Sequence, residues 1–300
     1  MVDPTSSPLA GYEGLIGNTP LCRLKRIAPR PDVAVWAKLE GTNLGGSVKD
    51  RAALGMINAA EAAGILAGGL RLVEATSGNT GIALAMIAAL KGAPMTLILP
   101  KDSTPERTIT MRAYGAEVIL ADDMIAARDM ARAMHEAGTH YELDQFSNPA
   151  NPEMHYRTTG PEVMAQTEGQ ITHFVSSMGT TGTIMGTARY LAEAKPSVCI
   201  VGVHPAEGAK IAGIRKWPPE YRPKIHEDGR IHRMEYVDEA DSAHITRRLC
   251  REEGIFVGLS GGGACLAALR VAEDAPAGSV IVFIVPDRGD KYLSMPGLYG

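Results

Sequence analysis

Residues 171–183 read ITHFVSSMGTTGT, an apolar run that breaks into glycines, serines and threonines. Ile171–Ser176 has the unbroken apolar character of a strand covered on both faces, and a helical pattern starts near Thr183. Between them, Met178–Thr183 places glycines and hydroxyls where a strand hands over to a helix N-terminus. Free amides at such a point favour an anion, typically phosphate, and glycines let the backbone approach it closely. Read locally, the stretch fits both a phosphate cup and a tight strand-to-helix turn. Under either reading it is a unit of an α/β protein.

The same unit recurs outward in both directions. Short β-branched runs at 33–39, 70–74, 95–99, 117–120, 198–203, 255–257 and 280–285 read as strands. Helical patterns at 47–63, 79–91, 105–114, 124–136, 183–194, 239–253 and 263–273 alternate with them. The alternation predicts an α/β fold of two domains with mainly parallel, twisted sheets flanked by helices. The Pro/Asn cluster QFSNPANP (145–152) suits a junction, which predicts domains at 1–145 and 146–300. Residues 205–229 carry no clear regular element and read as a surface loop or a cover for a site.

Bulk properties exclude several functions. The chain has 300 residues, 45% of them apolar, and a formal net charge of -4 with no basic stripe, so no nucleic-acid footprint is expected. Four cysteines lie far apart with no metal-ligand spacing, and no metal site is expected. The opening MVDPTSSPLAGYEG has no basic start and no apolar core, so it does not read as a secretory signal. Gly81–Leu90 is cut by Lys91 well short of a membrane span. These features together predict a cytoplasmic protein.

Three further loops share the glycine and hydroxyl character of 176–183: GGSVKDR (45–51), TSGNTG (76–81) and GLSGGG (258–263). In an open parallel sheet, ligands gather beyond the carboxyl ends of strands, so four such loops ask for a common ligand. The segment GTTGTIMG does not match a dinucleotide fingerprint, and no Walker lysine follows a glycine loop. TSGNTG would hold a carboxylate at a helix start, or simply cap that helix. Lys49 falls in the first turn of a helix with Ser47 a plausible cap. There the helix dipole and burial both disfavour an ammonium, and a neutral lysine amine forms imines. Alone, K-D-R reads as a solvated surface pair. Beside a phosphate cup it points to pyridoxal phosphate.

With these residues in hand, a resemblance is plain. IGNTPL (16–21), KLEGTNLGGSVKDRAA (38–53), ATSGNTG (75–81), QFSNPANPEMHYRTTGPE (145–162), SSMGTTGT (176–183) and DRGDKYLS (287–294) resemble the cysteine synthases. These are fold-type II pyridoxal phosphate enzymes of the cysteine synthase/cystathionine β-synthase family, with a tryptophan-synthase-β-like fold. GIRKWPPEY (213–221) and the DRGDKYLS tail look like the B-type branch. The resemblance implies β-replacement of O-acetyl-L-serine by sulfide to give L-cysteine, through an α-aminoacrylate, and use of thiosulfate to give S-sulfocysteine.

It also implies roles. Lys49 would carry the cofactor and act as the base. Gly179, Thr180, Thr181, Gly182 and Thr183 would hold its phosphate, Asn79 its ring hydroxyl, and Ser260 its ring nitrogen. Thr76, Ser77, Thr80 and Gln145 would take the substrate carboxylate. Arg215 would hold the anionic second substrate, or a phosphate if O-phosphoserine is the donor. A homodimer is implied, with residues of about 13–34 crossing to the C-terminal sheet and the cofactor between the domains. Gly261 departs from the family, where a second serine often follows the one at 260. A serine or threonine dehydratase, or a catalytically silent sensor, are the remaining readings of the scaffold.

Overall fold

The computed structural model describes residues 11–76 and 78–299. In chain order its regular elements are β1 (Leu21–Arg23), β2 (Ala34–Leu39), α1 (Lys49–Ala62), β3 (Arg71–Ala75), α2 (Asn79–Leu90), β4 (Met95–Pro100), α3 (Pro105–Ala113) and β5 (Glu117–Ala121). There follow α4 (Met124–Glu136), β6 (His140–Glu142), α5 (Ala150–Met154), α6 (Gly160–Gln166), β7 (His173–Ser177), α7 (Gly182–Ala194) and β8 (Cys199–Pro205). The last are β9 (Arg233–Val237), α8 (Glu239–Arg248), α9 (Leu259–Asp274) and β10 (Val280–Val285).

The strands form two sheets. One has four parallel strands in the order β5-β4-β3-β6, and the other has six in the order β1-β2-β10-β7-β8-β9. Within the six, only β1 runs antiparallel, against β2. The α/β class with mainly parallel sheets is therefore as the sequence predicts. Both β1 and β2 sit in the six-stranded sheet, so the segment that joins it runs on to Leu39.

Central strands and helices are buried on every side, which is why their sequences show no alternation. All six residues of β4 (MTLILP) are buried. The same logic governs α2, whose NTGIALAMIAAL is apolar all round and buried from Thr80 to Ala88. In α9, LSGGGACLAALRVAED packs on β10 and α8, with glycines at 261–263 admitting close neighbours. A Cβ on Gly262 would lie 2.1 Å from Thr246 Oγ1.

Some local expectations change. The strand expected at 255–257 reduces to one bridge, Val257 with Arg288, because the chain turns directly into α9. The helix expected over 239–253 ends at Arg248 and widens into a π-type turn over Leu249–Glu253. Strands β1, β6 and β9 are short or polar, and their sequences carry no strand signal. Residues 206–232 contain one 3-10 turn, Pro219–Tyr221, and otherwise run as irregular backbone.

Candidate active site

The four glycine-rich loops meet in one cleft of about 880 Å³. Its wall includes Lys49, Thr76, Asn79, Thr80, Gln145, Gly179, Thr180, Thr183, Arg215 and Ser260.

Lys49 is placed by a splice between loop and sheet. The N–H of Val48 donates to the carbonyl of Pro286 at 2.8 Å, and Ser47 bridges Asp287, just past the end of β10. Lys49 is the first residue of α1, and its own N–H donates to Ser47 Oγ at 3.3 Å. Burial lowers the pKa of its amine, and Asp287, Glu40 and Asp50 push it back up. Burial wins, so the amine is poised toward its neutral, nucleophilic form.

Arg51, two residues on, is wholly buried and does no chemistry. Its guanidinium donates to Glu40 at 2.8 Å and to Glu162 at 2.7 Å. Lys38 donates to Glu162 at 2.6 Å, to the carbonyl of Thr19 at 2.7 Å and to Gln166 at 2.8 Å. These ties clamp the first turn of α1 to β2 and α6. The Arg51 guanidinium and the Lys38 ammonium hold the Glu162 carboxyl down to about 2 against its burial.

Around the phosphate loop the glycines stand where side chains have no room. A Cβ on Gly182 would fall 1.9 Å from Asn151 Oδ1, and one on Gly179 would lie 3.2 Å from the Gly213 carbonyl. Thr181, at φ 74°, caps α7 in the left-handed region. The side chains of Thr180 and Thr183 face the cleft, whereas Thr181 lines an adjoining cavity with Met178 and Trp217. Thr183 Oγ1 meets His155 Nε2 at 3.3 Å, and His155 Nδ1 meets Thr159 Oγ1 at 2.9 Å. Burial, with Arg51 nearby, lowers the His155 pKa to about 3, so its ring is neutral.

The 76–80 loop opens α2. Thr76 Oγ1 accepts from the N–H of Gly78 at 3.3 Å and of Gly81 at 3.2 Å, which leaves its proton for the cleft. As the first residues of α2, Asn79 and Thr80 have N–H groups with no intrahelical acceptor. Thr80 Oγ1 donates to Gln145 Oε1 at 2.8 Å, while Gln145 Nε2 donates to Ala75 O at 2.9 Å and Glu74 Oε1 at 3.1 Å. Gln145 thus borders the cleft with both of its donors turned inward. Ser77 lies outside the described residues.

Ser260 is 2% exposed and sits inside the first turn of α9, whose N-cap, Gly258, makes no side-chain cap. Its hydroxyl serves the cleft, not the helix end. Gly213, at φ 90°, allows it: a Cβ there would lie 3.1 Å from Ser260 Oγ. Gly261 has a local reason, since a Cβ would approach Val257 Cβ to 3.1 Å and a serine would crowd that contact. Arg215 stacks over Trp217 at 5.6 Å, and burial lowers its pKa. Trp217 Nε1 donates to the Gly179 carbonyl at 2.8 Å and so ties the 213–217 segment to the glycine loop.

Comparison with known proteins agrees with this site. Residues 12–287 match the family of pyridoxal-phosphate dependent enzymes. Over 291 residues the chain is 54% identical to cysteine synthase B of Salmonella typhimurium, spanning 96% of this chain and 95% of that one. The chain belongs to the pyridoxal-phosphate-dependent enzymes, in their cysteine synthase branch. Cysteine synthase B of Escherichia coli is 53% identical over 295 residues, 97% of each chain. The crystal structure of a cysteine synthase from Entamoeba histolytica superposes with a TM-score of 0.90 at 32% identity, covering 100% of this chain and 93% of that one. The family resemblance read from the motifs is thereby borne out, and with it the pyridoxal phosphate cofactor.

Two residues of this enzyme's cleft escape a reading by motif. Asp287 is buried, and its Oδ2 accepts from Asn79 Nδ2 and from Tyr292 OH, each at 2.5 Å. Glu74 is buried behind Gln145. Asp287 had a signal: it directly follows the apolar run VIVFIVP, at the carboxyl end of a central strand. Glu74 sits inside the strand RLVEA, where an acid is out of place.

Proposed function

We propose that this enzyme makes L-cysteine by β-replacement on O-acetyl-L-serine, with sulfide as the incoming nucleophile. The observation that carries the reading is a buried, depressed lysine amine in one cleft with a glycine–threonine cup and a carboxylate-type loop. The residues fit pyridoxal phosphate on two counts. Gly179 and Gly182 form a cradle that any Cβ would fill, and Asn79 Oδ1 is a buried polar atom without a partner.

Lys49 would hold the cofactor aldehyde, the 179–183 backbone with Thr180 and Thr183 its phosphate, Asn79 its ring hydroxyl and Ser260 its ring nitrogen. When bound, the cofactor supplies an electron sink that acidifies the α-hydrogen of an amino acid. Thr76 and the N–H groups of Asn79 and Thr80 receive the substrate carboxylate, and Gln145 braces Thr80 from behind. The neutral amine of Lys49 takes the α-proton and later returns it. Ser260 offers a neutral hydroxyl where a carboxylate would keep the ring nitrogen protonated, and this suits elimination over transamination. Enclosure of the cleft by the 76–80 loop would keep water from the substrate.

Arg215 favours anionic reactants, so thiosulfate as sulfur source and O-phosphoserine as donor belong to the same reading. The experiment is competition between O-acetylserine and O-phosphoserine with sulfide or thiosulfate, assaying cysteine, S-sulfocysteine and pyruvate. Thiol product from O-acetylserine supports the proposal. Pyruvate released without a sulfur source would make the enzyme a dehydratase instead. We place the enzyme in the cytoplasm as a homodimer of two-domain chains divided near residue 145. Among the described residues no helix is long and apolar enough to cross a membrane. Light scattering in solution tests the dimer.

A further inference from the structure

We propose that Glu74 is a positioning residue that works as a buried, protonated acid, fixing Gln145 and keeping negative charge away from the carboxylate loop. The inference rests on the reading that residues 76–80 receive the substrate carboxylate.

The geometry behind it is a relay one amide long. Glu74 lies near the end of β3 and is 2% exposed. Its Oε1 accepts from Gln145 Nε2 at 3.1 Å, and its Oε2 from the Gln145 backbone N–H at 3.3 Å. The second hydrogen of Nε2 goes to the Ala75 carbonyl at 2.9 Å, and Oε1 of the same amide accepts from Thr80 at 2.8 Å. Gln145 therefore cannot turn over without setting its oxygen against the Ala75 carbonyl. Thr80 is held in the first turn of α2, where the carboxylate would arrive.

The surroundings give Glu74 no cation. Among the described residues it forms no ion pair. Across from it stand Glu142 on β6 and Asp144 in the following turn, and both raise its pKa, as burial does more strongly. On α4, Arg132 is committed to those two acids, at 2.9 Å from Glu142 and 3.7 Å from Asp144. Arg128 of α4 lies over the Phe146 ring at 4.6 Å. The partner strand β4 carries no charged residue. An ionised Glu74 would set a negative charge behind Thr80 and oppose a carboxylate across low-dielectric protein. A protonated one keeps both acceptor contacts to Gln145 without that cost.

The test uses the holoenzyme and L-alanine, which carries the carboxylate and amine but no leaving group. Its dissociation constant is read from the visible cofactor band from pH 6 to pH 10, in wild type and in Glu74→Gln. The ratio of the two constants cancels titration of the ligand amine. It should be near 1 at low pH, and wild type should weaken about tenfold relative to the variant as Glu74 ionises. A ratio that stays constant across the range overturns the proposal, since a purely structural role would shift affinity equally at every pH. Asp144→Asn is a second arm: removing one facing acid should move the wild-type loss of affinity to lower pH, and an unmoved midpoint also overturns the proposal. Thr76→Ala separates the two levels of the argument. If it leaves L-alanine affinity unchanged, the carboxylate reading of the loop fails and this inference with it. If it weakens binding while the ratio stays flat, only the role of Glu74 fails.

Discussion

Asn79 donates its side-chain amide to the carboxyl of Asp287 at 2.5 Å, joining the first residue of α2 to a residue 208 positions away. Tyr292 donates to the same oxygen at the same distance. One buried carboxyl thus serves two donors from two segments, and it also faces the amine of Lys49. Burial raises its pKa, while its two donors pull it back. Asp287→Ala leaves both donors without an acceptor and should cost about 1–3 kcal/mol in denaturant unfolding. Asp287→Asn, which keeps an acceptor oxygen, should lose less. Unfolding equal to wild type in the alanine variant would remove Asp287 from this role.

Lys49→Ala removes the amine that holds the cofactor and moves the proton. The purified variant should show no lysine-linked visible band, and its β-replacement rate should drop by at least ~10²–10⁴-fold, the range of one acid–base group. An unchanged spectrum with unchanged rate would place the chemistry elsewhere.

The clamp around Arg51 makes a separate claim on stability. Glu162→Gln takes one carboxylate from Arg51 and Lys38, both with fully buried side chains. Removing one partner from such a pair costs about 3–5 kcal/mol. The loss should appear in chemical unfolding at pH 7, with the α1 turn bearing Lys49 loosened in hydrogen exchange.

Acid should unfold this protein through two groups. Glu162 has a folded pKa lowered to about 2, so its contribution is present above the ordinary carboxylate range and lost as pH falls through about 2. His155 has a folded pKa lowered to about 3 from 6.5; the unfolded chain takes up a proton first, and stability falls as pH drops from 6.5 toward 3. Unfolding free energies between pH 7 and pH 4 should decline, and His155→Asn should flatten the slope. An equal slope in that variant would show that His155 does not drive it.

Gly182→Ala tests the cradle. Its Cβ would have to displace Asn151, whose Nδ2 donates to the Gln145 carbonyl at 2.8 Å and to Thr180 Oγ1 at 3.3 Å. Overpacking of this kind costs about 1–3 kcal/mol. Cofactor affinity should fall along with stability, and titration of the apoprotein with pyridoxal phosphate measures it.

How far the sequence reaches differs by residue. Lys49, Asn79, Thr180 and Ser260 were legible because each sits at a strand-to-helix turn, where glycine and hydroxyl residues mark close backbone approach. Glu74 and Asp287 were not, because a single acid in an apolar run has no spacing to read. Ser260 shows the middle case: locally a helix cap and a ligand contact look alike, and only the position of Gly213 against its hydroxyl separates them. Thr181 shows the limit of motif transfer, since a left-handed backbone turns its side chain into the neighbouring cavity.

By itself the sequence determined the α/β class, the four loops and the lysine, because periodicity and turn chemistry are local properties of a chain. Only the tertiary structure decided which protonation states and hydrogen-bond directions those loops carry. Asp287 meeting Asn79, Glu74 standing behind Gln145 without a cation, and Arg51 committed to Glu40 and Glu162 depend on contacts across tens to hundreds of residues. Burial and pairing set the charge of each group, and neither is written in the residues beside it.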